Sequence, residues 1–228
     1  MNICIIPARG GSKRIPRKNI KNFCGKPMIS WSIETALSCK FFNRVIVSTD
    51  DNEIAKVSQR YGAEVPFMRS ESLSDDYTGT VPVIKNAINL LEMNNEKVNF
   101  VCCLYPTAPF IEVSYLEEGL NKLIENNASY SISMTSFSYP IQRSFKLTKN
   151  KRIKMFFPEN INKRSQDLEQ CFHDAGQFYW GKRSSWLEEE SILDQKTVPI
   201  YIPRYKVQDI DNEEDWIQAE RIFSKYRC

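Results

Sequence analysis

The sequence predicts an α/β fold, a Rossmann-like and mostly parallel sheet with helices on both faces and one inserted arm. Two observations carry the sheet. Short β-rich runs alternate with helical patterns from Asn2 to Thr135. Several of those runs are apolar throughout, as strands covered on both faces must be. A third observation carries the arm: the alternation breaks at Phe137, where a strongly basic stretch begins.

Taken in order, Asn2 to Pro7 reads as a buried first strand. Pro27 to Leu37 reads as a helix, with proline at its first position and Met28, Ile29, Trp31, Ile33 and Leu37 as its apolar residues. Arg44 to Thr49 is a strand. Asp51 to Tyr61 is a helix, capped by the aspartates at its start and stopped at Gly62. Glu64 to Phe67 is a third strand. Val81 to Glu92 is a helix with Ile84, Ile88 and Leu91 on one face. Phe100 to Leu104 is an apolar strand, Ser114 to Glu125 a helix, and Tyr130 to Thr135 a strand. Ligands of such sheets bind beyond the carboxyl ends of strands, so the loops after Ile6, Thr49 and Leu104 are the places for a site.

From Gln142 to Arg164 there are eight Lys or Arg and one acid, Glu159. Phe137 to Gln170 therefore reads as an inserted arm or hairpin, either a solvated basic arm or a dimerisation arm. The core resumes with Gln177 to Trp180, Val198 to Ile202 and a final helix from Glu213 to Lys225. One domain spans residues 1–228, with the arm at about 137–170.

Composition is that of an ordinary globular protein: 228 residues, 42% apolar and 26% charged. No run of about eighteen apolar residues occurs, so no membrane partner is expected. The apolar N-terminus lacks a basic leader and is not read as a signal peptide. A net charge of +3 argues against a dedicated nucleic-acid binder. Seven cysteines without a CxxC pair read as free thiols in a reducing cytoplasm.

The segment that carries chemistry directly follows the first strand: Pro7-Ala8-Arg9-Gly10-Gly11-Ser12-Lys13-Arg14-Ile15-Pro16-Arg17-Lys18-Asn19. From Arg9 to Lys21 it holds six basic residues and no acid. Gly10 and Gly11 allow the backbone to approach an anion closely, with amide N–H groups turned toward it. Lys13 and Lys18 add mobile positive charge. A triphosphate needs both kinds of donor. The loop is neither Gly-x4-Gly-Lys-Ser/Thr nor Gly-x-Gly-x-x-Gly.

Ala-Arg-x-x-Ser-Lys followed by Lys-Asn resembles the signature of the sugar-acid cytidylyltransferases. Further stretches agree in order. They are Val45 to Asp50; Arg69 with Leu73-Ser74-Asp75-Asp76, Thr78 and Thr80; Leu104-Tyr105-Pro106-Thr107-Ala108-Pro109; and Asp209-Ile210-Asp211. The resemblance implies a nucleotidyltransferase that joins CTP to a free nonulosonic acid, on a Rossmann-like sheet whose arm exchanges contacts across a homodimer. It implies that Ala8, Arg9 and Asn19 hold the nucleotide, and that Gly10, Gly11, Ser12, Lys13 and Lys18 line its phosphate path. Arg69, Thr78 and Thr80 would contact cytosine and ribose. Arg9, Lys13, Lys18 and Asp211 would be the catalytic set.

If Val207 to Asp211 is extended, the Asp209 and Asp211 carboxylates share one face. Such a pair suits Mg²⁺. It equally suits a strand end before a helix N-terminus, since Asn212, Glu213 and Glu214 fit a first helical turn. Beside the phosphate loop and the family pattern, Mg²⁺ binding is the expectation. The general base stays open between a metal-bound water and a carboxylate of the pair. An Asp-x-Asp pair also occurs in glycosyltransferases, but mid-chain and without a basic glycine loop after the first strand.

Two places depart from the family members that act on sialic acid. Tyr105 stands where they show Gln, and Phe172-His173-Asp174-Ala175-Gly176-Gln177-Phe178-Tyr179 stands where they show Arg-Pro-Asn-Gly before an aromatic strand. Both line the sugar pocket in the family. Tyr105, Thr107, His173, Gln177 and Tyr179 are therefore the expected sugar-binding residues, and a different sugar stereochemistry is expected. These segments are most similar to the branch of the family that takes pseudaminic acid.

Overall fold

The computed structural model describes residues 1–95, 97–188 and 191–227. In chain order the strands are β1 (Asn2–Pro7), β2 (Asn22–Phe23), β3 (Lys26–Pro27), β4 (Arg44–Ser48), β5 (Phe100–Leu104), β6 (Tyr130–Ser136), β7 (Phe145–Leu147), β8 (Ile153–Met155), β9 (Phe172–Lys182) and β10 (Thr197–Tyr201). The helices are α1 (Met28–Leu37), α2 (Asn52–Arg60), α3 (Thr80–Glu92), α4 (Val113–Glu125), α5 (Arg183–Leu187) and α6 (Glu213–Arg227).

A six-stranded sheet runs β10-β6-β9-β5-β1-β4. β4, β1 and β5 are mutually parallel, as are β10 and β6. The expected Gln177–Trp180 strand is longer than its apolar part. β9 has 11 residues and is antiparallel to both β5 and β6, which it separates. Alternate strand residues feed two cores. Cys4, Ile6, Val45 and Val47 pack with α1, α2 and α4, while Ile3, Ile5, Ile46 and Cys103 pack with α3 and α5. Burying both faces is why these strands are apolar at every position.

The expected strand Glu64–Phe67 forms only isolated bridges, Ile46 with Glu64 and Thr49 with Met68. Pro66 lies between them and has no N–H to give a ladder. Pro27 is the N-cap of α1 rather than its first residue. α5 was not expected; its Trp186 is fully buried and donates from Nε1 to the Val101 carbonyl at 3.2 Å. The basic stretch contains an antiparallel β7–β8 hairpin. Phe145, Leu147, Ile153 and Phe156 are exposed there.

A third, smaller cluster positions the site. Ile15 from the basic loop and Ile210 from the acidic segment pack with Phe23, Met28 and Phe110, and with Trp216, Ala219 and Phe223 of α6. α6 thus pins two distant pieces of chain against each other. Cys4, Cys39, Cys102 and Cys103 are buried free thiols, as expected. Among the described residues no helix is long and apolar enough to cross a membrane.

Candidate active site

The loops after β1 and β5 leave the same edge of the sheet, because the strands are parallel neighbours. Between them lies a cleft of about 180 Å³ lined by Pro7, Arg9, Ser12, Lys13, Arg14, Ile15, Lys18, Asn19, Tyr105, Pro106 and Thr107. This brings together Arg9, Ser12, Lys13, Lys18 and Asn19 with Tyr105 and Thr107. His173, Gln177 and Tyr179 are not among the lining residues.

The loop is held from behind. Ala8 is buried and donates its N–H to the Ser48 carbonyl at 2.9 Å. Asn19 Nδ2 donates to the Arg9 carbonyl at 3.0 Å. Arg17 has a left-handed backbone (φ 56°), and its guanidinium forks onto Asp51, donating from Nη2 to Oδ1 at 2.9 Å. Asp51 also caps α2, accepting from the Glu53 and Ile54 amides at 2.9 Å each. The Arg17 guanidinium, assisted by these amides, holds the Asp51 carboxyl down at about 2. A Cβ on Gly10 would lie 2.9 Å from Asp51 Oδ2, so glycine is required by close approach; around Gly11 there is open space. The Gly10 amide, expected to face an anion, instead donates to Asp50 Oδ1 at 2.9 Å.

Acids face the loop's cations. Arg9 Nη1 donates to Asp76 Oδ1 and to the Asp75 carbonyl at 2.7 Å each. Lys13 pairs with the other Asp76 oxygen. Lys13 and Arg9 together keep the Asp76 carboxyl below its ordinary range. These pairs are solvent-exposed and therefore weak, so a more highly charged phosphate can displace Asp76. Arg69 is buried, 3.6 Å from Asp50 through Nη2, and Nε donates to Ser74 Oγ at 3.0 Å. Burial lowers its guanidinium from the ordinary arginine range, against the pull of Asp50. Thr78 donates its N–H to Asp75 Oδ1 at 2.6 Å.

On the opposite side Lys18 Nζ donates to the Ile210 carbonyl at 2.7 Å and lies 3.9 Å from Asp211 Oδ1. Desolvation lowers the Lys18 ammonium, with Asp211 and Asp209 opposing it. Arg14 Nη2 sits 2.7 Å from the same Asp211 oxygen. Partial desolvation, then the negative charge of Asp211, pushes the Asp209 carboxyl up. Two carboxylates that repel each other at a half-desolvated edge have the donor chemistry of a divalent-cation site. The helix-cap reading holds as well. Asn212 Oδ1 accepts from Asp215 N–H at 3.0 Å, while Asp215 Oδ2 accepts from the Asp211 and Asn212 amides at 3.0 and 3.1 Å. The cap uses Asn212 and Asp215, leaving the Asp209 and Asp211 carboxylates outside it.

The aromatic end is built differently. Thr80 Oγ1 and Tyr105 Oη are 2.8 Å apart, joining residues expected on different ligands. Tyr105 and Tyr179 meet edge to face with ring centroids 5.6 Å apart. Burial pushes the Tyr105 phenol up to about 12, and burial followed by Tyr105 and Asp174 pushes Tyr179 up as well. Tyr179 donates its hydroxyl to Asp174 Oδ2. Gln177 is buried; its Nε2 donates to the Lys206 carbonyl at 2.7 Å and its Oε1 has no partner among the described residues. His173 is exposed, with Nδ1 2.8 Å from the Asp174 carbonyl and its ring 4.8 Å from Phe137. In the sequence Asp50, Asp75, Asp76 and Asp174 stand only as parts of longer motifs. Their pairing with Arg69, Arg9, Lys13 and Tyr179 needed the fold.

Comparison with known proteins gives the family and the fold. The family profile described as cytidylyltransferase matches residues 3–201. A pseudaminic acid cytidylyltransferase of Campylobacter jejuni is 48% identical, over 94% of this chain and 92% of its own. A CMP-N,N'-diacetyllegionaminic acid synthase of Legionella pneumophila is 29% identical, over 96% of this chain and 95% of its own. Among solved structures, a CMP:2-keto-3-deoxy-manno-octonic acid synthetase complexed with CTP shares the fold, with TM-score 0.73, 15% identity and 98% of each chain covered. With the profile spanning most of the sequence and a near-full-length relative at this identity, the chain belongs to the cytidylyltransferase family.

Proposed function

We propose that this cytidylyltransferase transfers CMP from CTP to the anomeric hydroxyl of pseudaminic acid, giving CMP-pseudaminic acid and pyrophosphate. The observation that carries the reading is the cleft: a basic glycine loop faces Tyr105 to Thr107, with Asp209 and Asp211 beside Lys18. The sugar follows from the much higher identity to the relative named for pseudaminic acid than to the one named for legionaminic acid.

In this reading Arg9, Ser12 and Lys13 receive the triphosphate, with Arg9 and Lys13 exchanging Asp76 for phosphate oxygens. Gly10 and Gly11 allow close backbone approach. Ala8 and Asn19 hold the nucleotide, and Arg69, Thr78 and Thr80 contact cytosine and ribose. Lys18 offsets charge at the α-phosphate and orients Asp211. Asp209 and Asp211 would hold Mg²⁺, which offsets the charge that builds on the phosphates as pyrophosphate leaves. Tyr105, Thr107, His173, Gln177 and Tyr179 choose the sugar. Fixing both reactants in line supplies much of the rate. The exposed apolar residues of the β7–β8 hairpin support pairing with a second copy of this chain. Free buried thiols fit a reducing cytoplasm as the place of reaction.

The test is a panel of pseudaminic, legionaminic and N-acetylneuraminic acids with CTP, read by pyrophosphate release. Pseudaminic acid should give the highest kcat/KM, and preference for N-acetylneuraminic acid would overturn the assignment. A repeat with ATP, GTP and UTP checks the base.

A further inference from the structure

The parallel ladder between β1 and β4 ends on an exchanged acceptor. The Ala8 N–H donates to the Ser48 carbonyl at 2.9 Å, so the next rung in step joins Gly10 to Asp50. Gly10 does bond there, but to the side-chain Oδ1 of Asp50, at 2.9 Å. A side-chain oxygen reaches beyond the main chain, so the loop leaves the sheet without orphaning that amide. The same peptide unit is held at its other end, where the Arg9 carbonyl accepts from Asn19 Nδ2 at 3.0 Å. A peptide unit is planar and rigid, so two pins fix the plane between Arg9 and Gly10.

The pins matter because of what stands at position 10. The close approach of Asp51 requires glycine there, and glycine has the freest backbone of any residue. Left to itself, the chain would lose its direction just after Arg9, a residue that lines the cleft. Asp50 Oδ1 has a second neighbour: Nη2 of the buried Arg69 lies 3.6 Å from it. The two neighbours ask for different chemistry. The Gly10 amide needs only an acceptor oxygen, whereas a buried guanidinium needs a negative charge.

We propose that Asp50 is a positioning residue for the transfer reaction: its oxygen locks the Arg9–Gly10 peptide and so aims Arg9 at the arriving triphosphate. The Gly10 amide is engaged by the protein itself, which leaves phosphate contact to the side chains of Arg9, Ser12 and Lys13. The inference rests on the cleft being the nucleotide site proposed above.

The test uses full-length wild type, D50A, D50N and D50E, with the nucleotide and sugar acid that wild type turns over fastest. That choice separates failure of this idea from failure of the substrate assignment. D50A leaves the amide unpaired and should raise KM for the nucleotide about tenfold, while KM for the sugar stays within about twofold. D50N keeps an acceptor oxygen but no charge; it should hold the nucleotide KM within about threefold of wild type while Tm falls as in D50A, because both strip Arg69 of its countercharge. D50E keeps the charge but displaces the oxygen by one methylene. It should raise the nucleotide KM at least about fivefold with Tm nearer wild type, and it carries the test if D50A does not fold. A purely structural role would move KM in step with Tm across the series. An unchanged nucleotide KM in D50A or D50E, a D50N as impaired as D50A, or equal rises for nucleotide and sugar would each overturn the proposal.

Discussion

Two regions of this chain are strongly basic, yet they are built to opposite ends. In the loop from Arg9 to Lys21 every cation faces an acid from elsewhere. Arg9 and Lys13 meet Asp76, Arg14 and Lys18 meet Asp211, Arg17 meets Asp51 and Glu53, and Lys21 meets Glu213. In the arm Arg164 pairs locally with Asp167, and Arg143 donates to the Lys163 carbonyl. Around those charges Phe145, Leu147 and Ile153 stand exposed. The lesson is that charge density does not define a phosphate site. What distinguishes the loop is a frame of countercharges from distant segments, which the proposed triphosphate would replace.

The sharpest way to break the comparison is at Asp211. D211A should lower CMP-sugar formation about a thousandfold while melting stays near wild type, since the helix cap uses Asn212 and Asp215 instead. Near-normal turnover in saturating Mg²⁺ would remove Asp211 from the metal role.

Next in size is the frame behind the loop. A Cβ on Gly10 would strike Asp51, so G10A should cost about 1–3 kcal/mol in urea denaturation. G11A has open space and should cost under about 1 kcal/mol. Equal costs would show that the loop does not rest on Asp51.

A smaller effect is expected from proton linkage. The folded-state pKa of Asp51 is depressed, to about 2 from 3.8, so its contribution to stability is present above pH 3.8 and is lost as pH falls through about 2. The contribution is about 2 kcal/mol. D51N should therefore flatten the stability curve between pH 4 and pH 2; an unchanged curve would assign the acid sensitivity to other carboxylates.

The smallest catalytic effect belongs to the arm. L147S/I153S should leave turnover within about twofold but shift sedimentation from dimer toward monomer. A monomeric wild type, or a large loss of turnover in the variant, would give the arm a different role.

Much of the site was legible in the sequence for a local reason. Arg9, Gly10, Ser12, Lys13, Lys18 and Asn19 lie within one turn of chain after a strand, so their order nearly fixes their proximity. The strand ends at Pro7 and Leu104 were legible too, because apolar runs mark where parallel strands stop. The failures are equally specific. Pro66 removed a strand that hydrophobicity alone supported, and lateral order hid β9, since chain order says nothing about which strand slips between β5 and β6. Asp174 stood only as one residue of the segment from Phe172 to Tyr179 until the fold set it against the Tyr179 hydroxyl.

The sequence by itself determined the fold class, the basic character of the first loop and the candidacy of Asp209 and Asp211. These depend on periodicity and on residues close along the chain. Tertiary structure alone decided which acids face which cations, that α6 presses Ile210 and Ile15 into one cluster, that Thr80 and Tyr105 meet through their hydroxyls, and that Tyr105 and Tyr179 meet edge to face. Those are contacts between residues tens to nearly two hundred positions apart, and only the packing of helices on a sheet of fixed strand order brings them within reach.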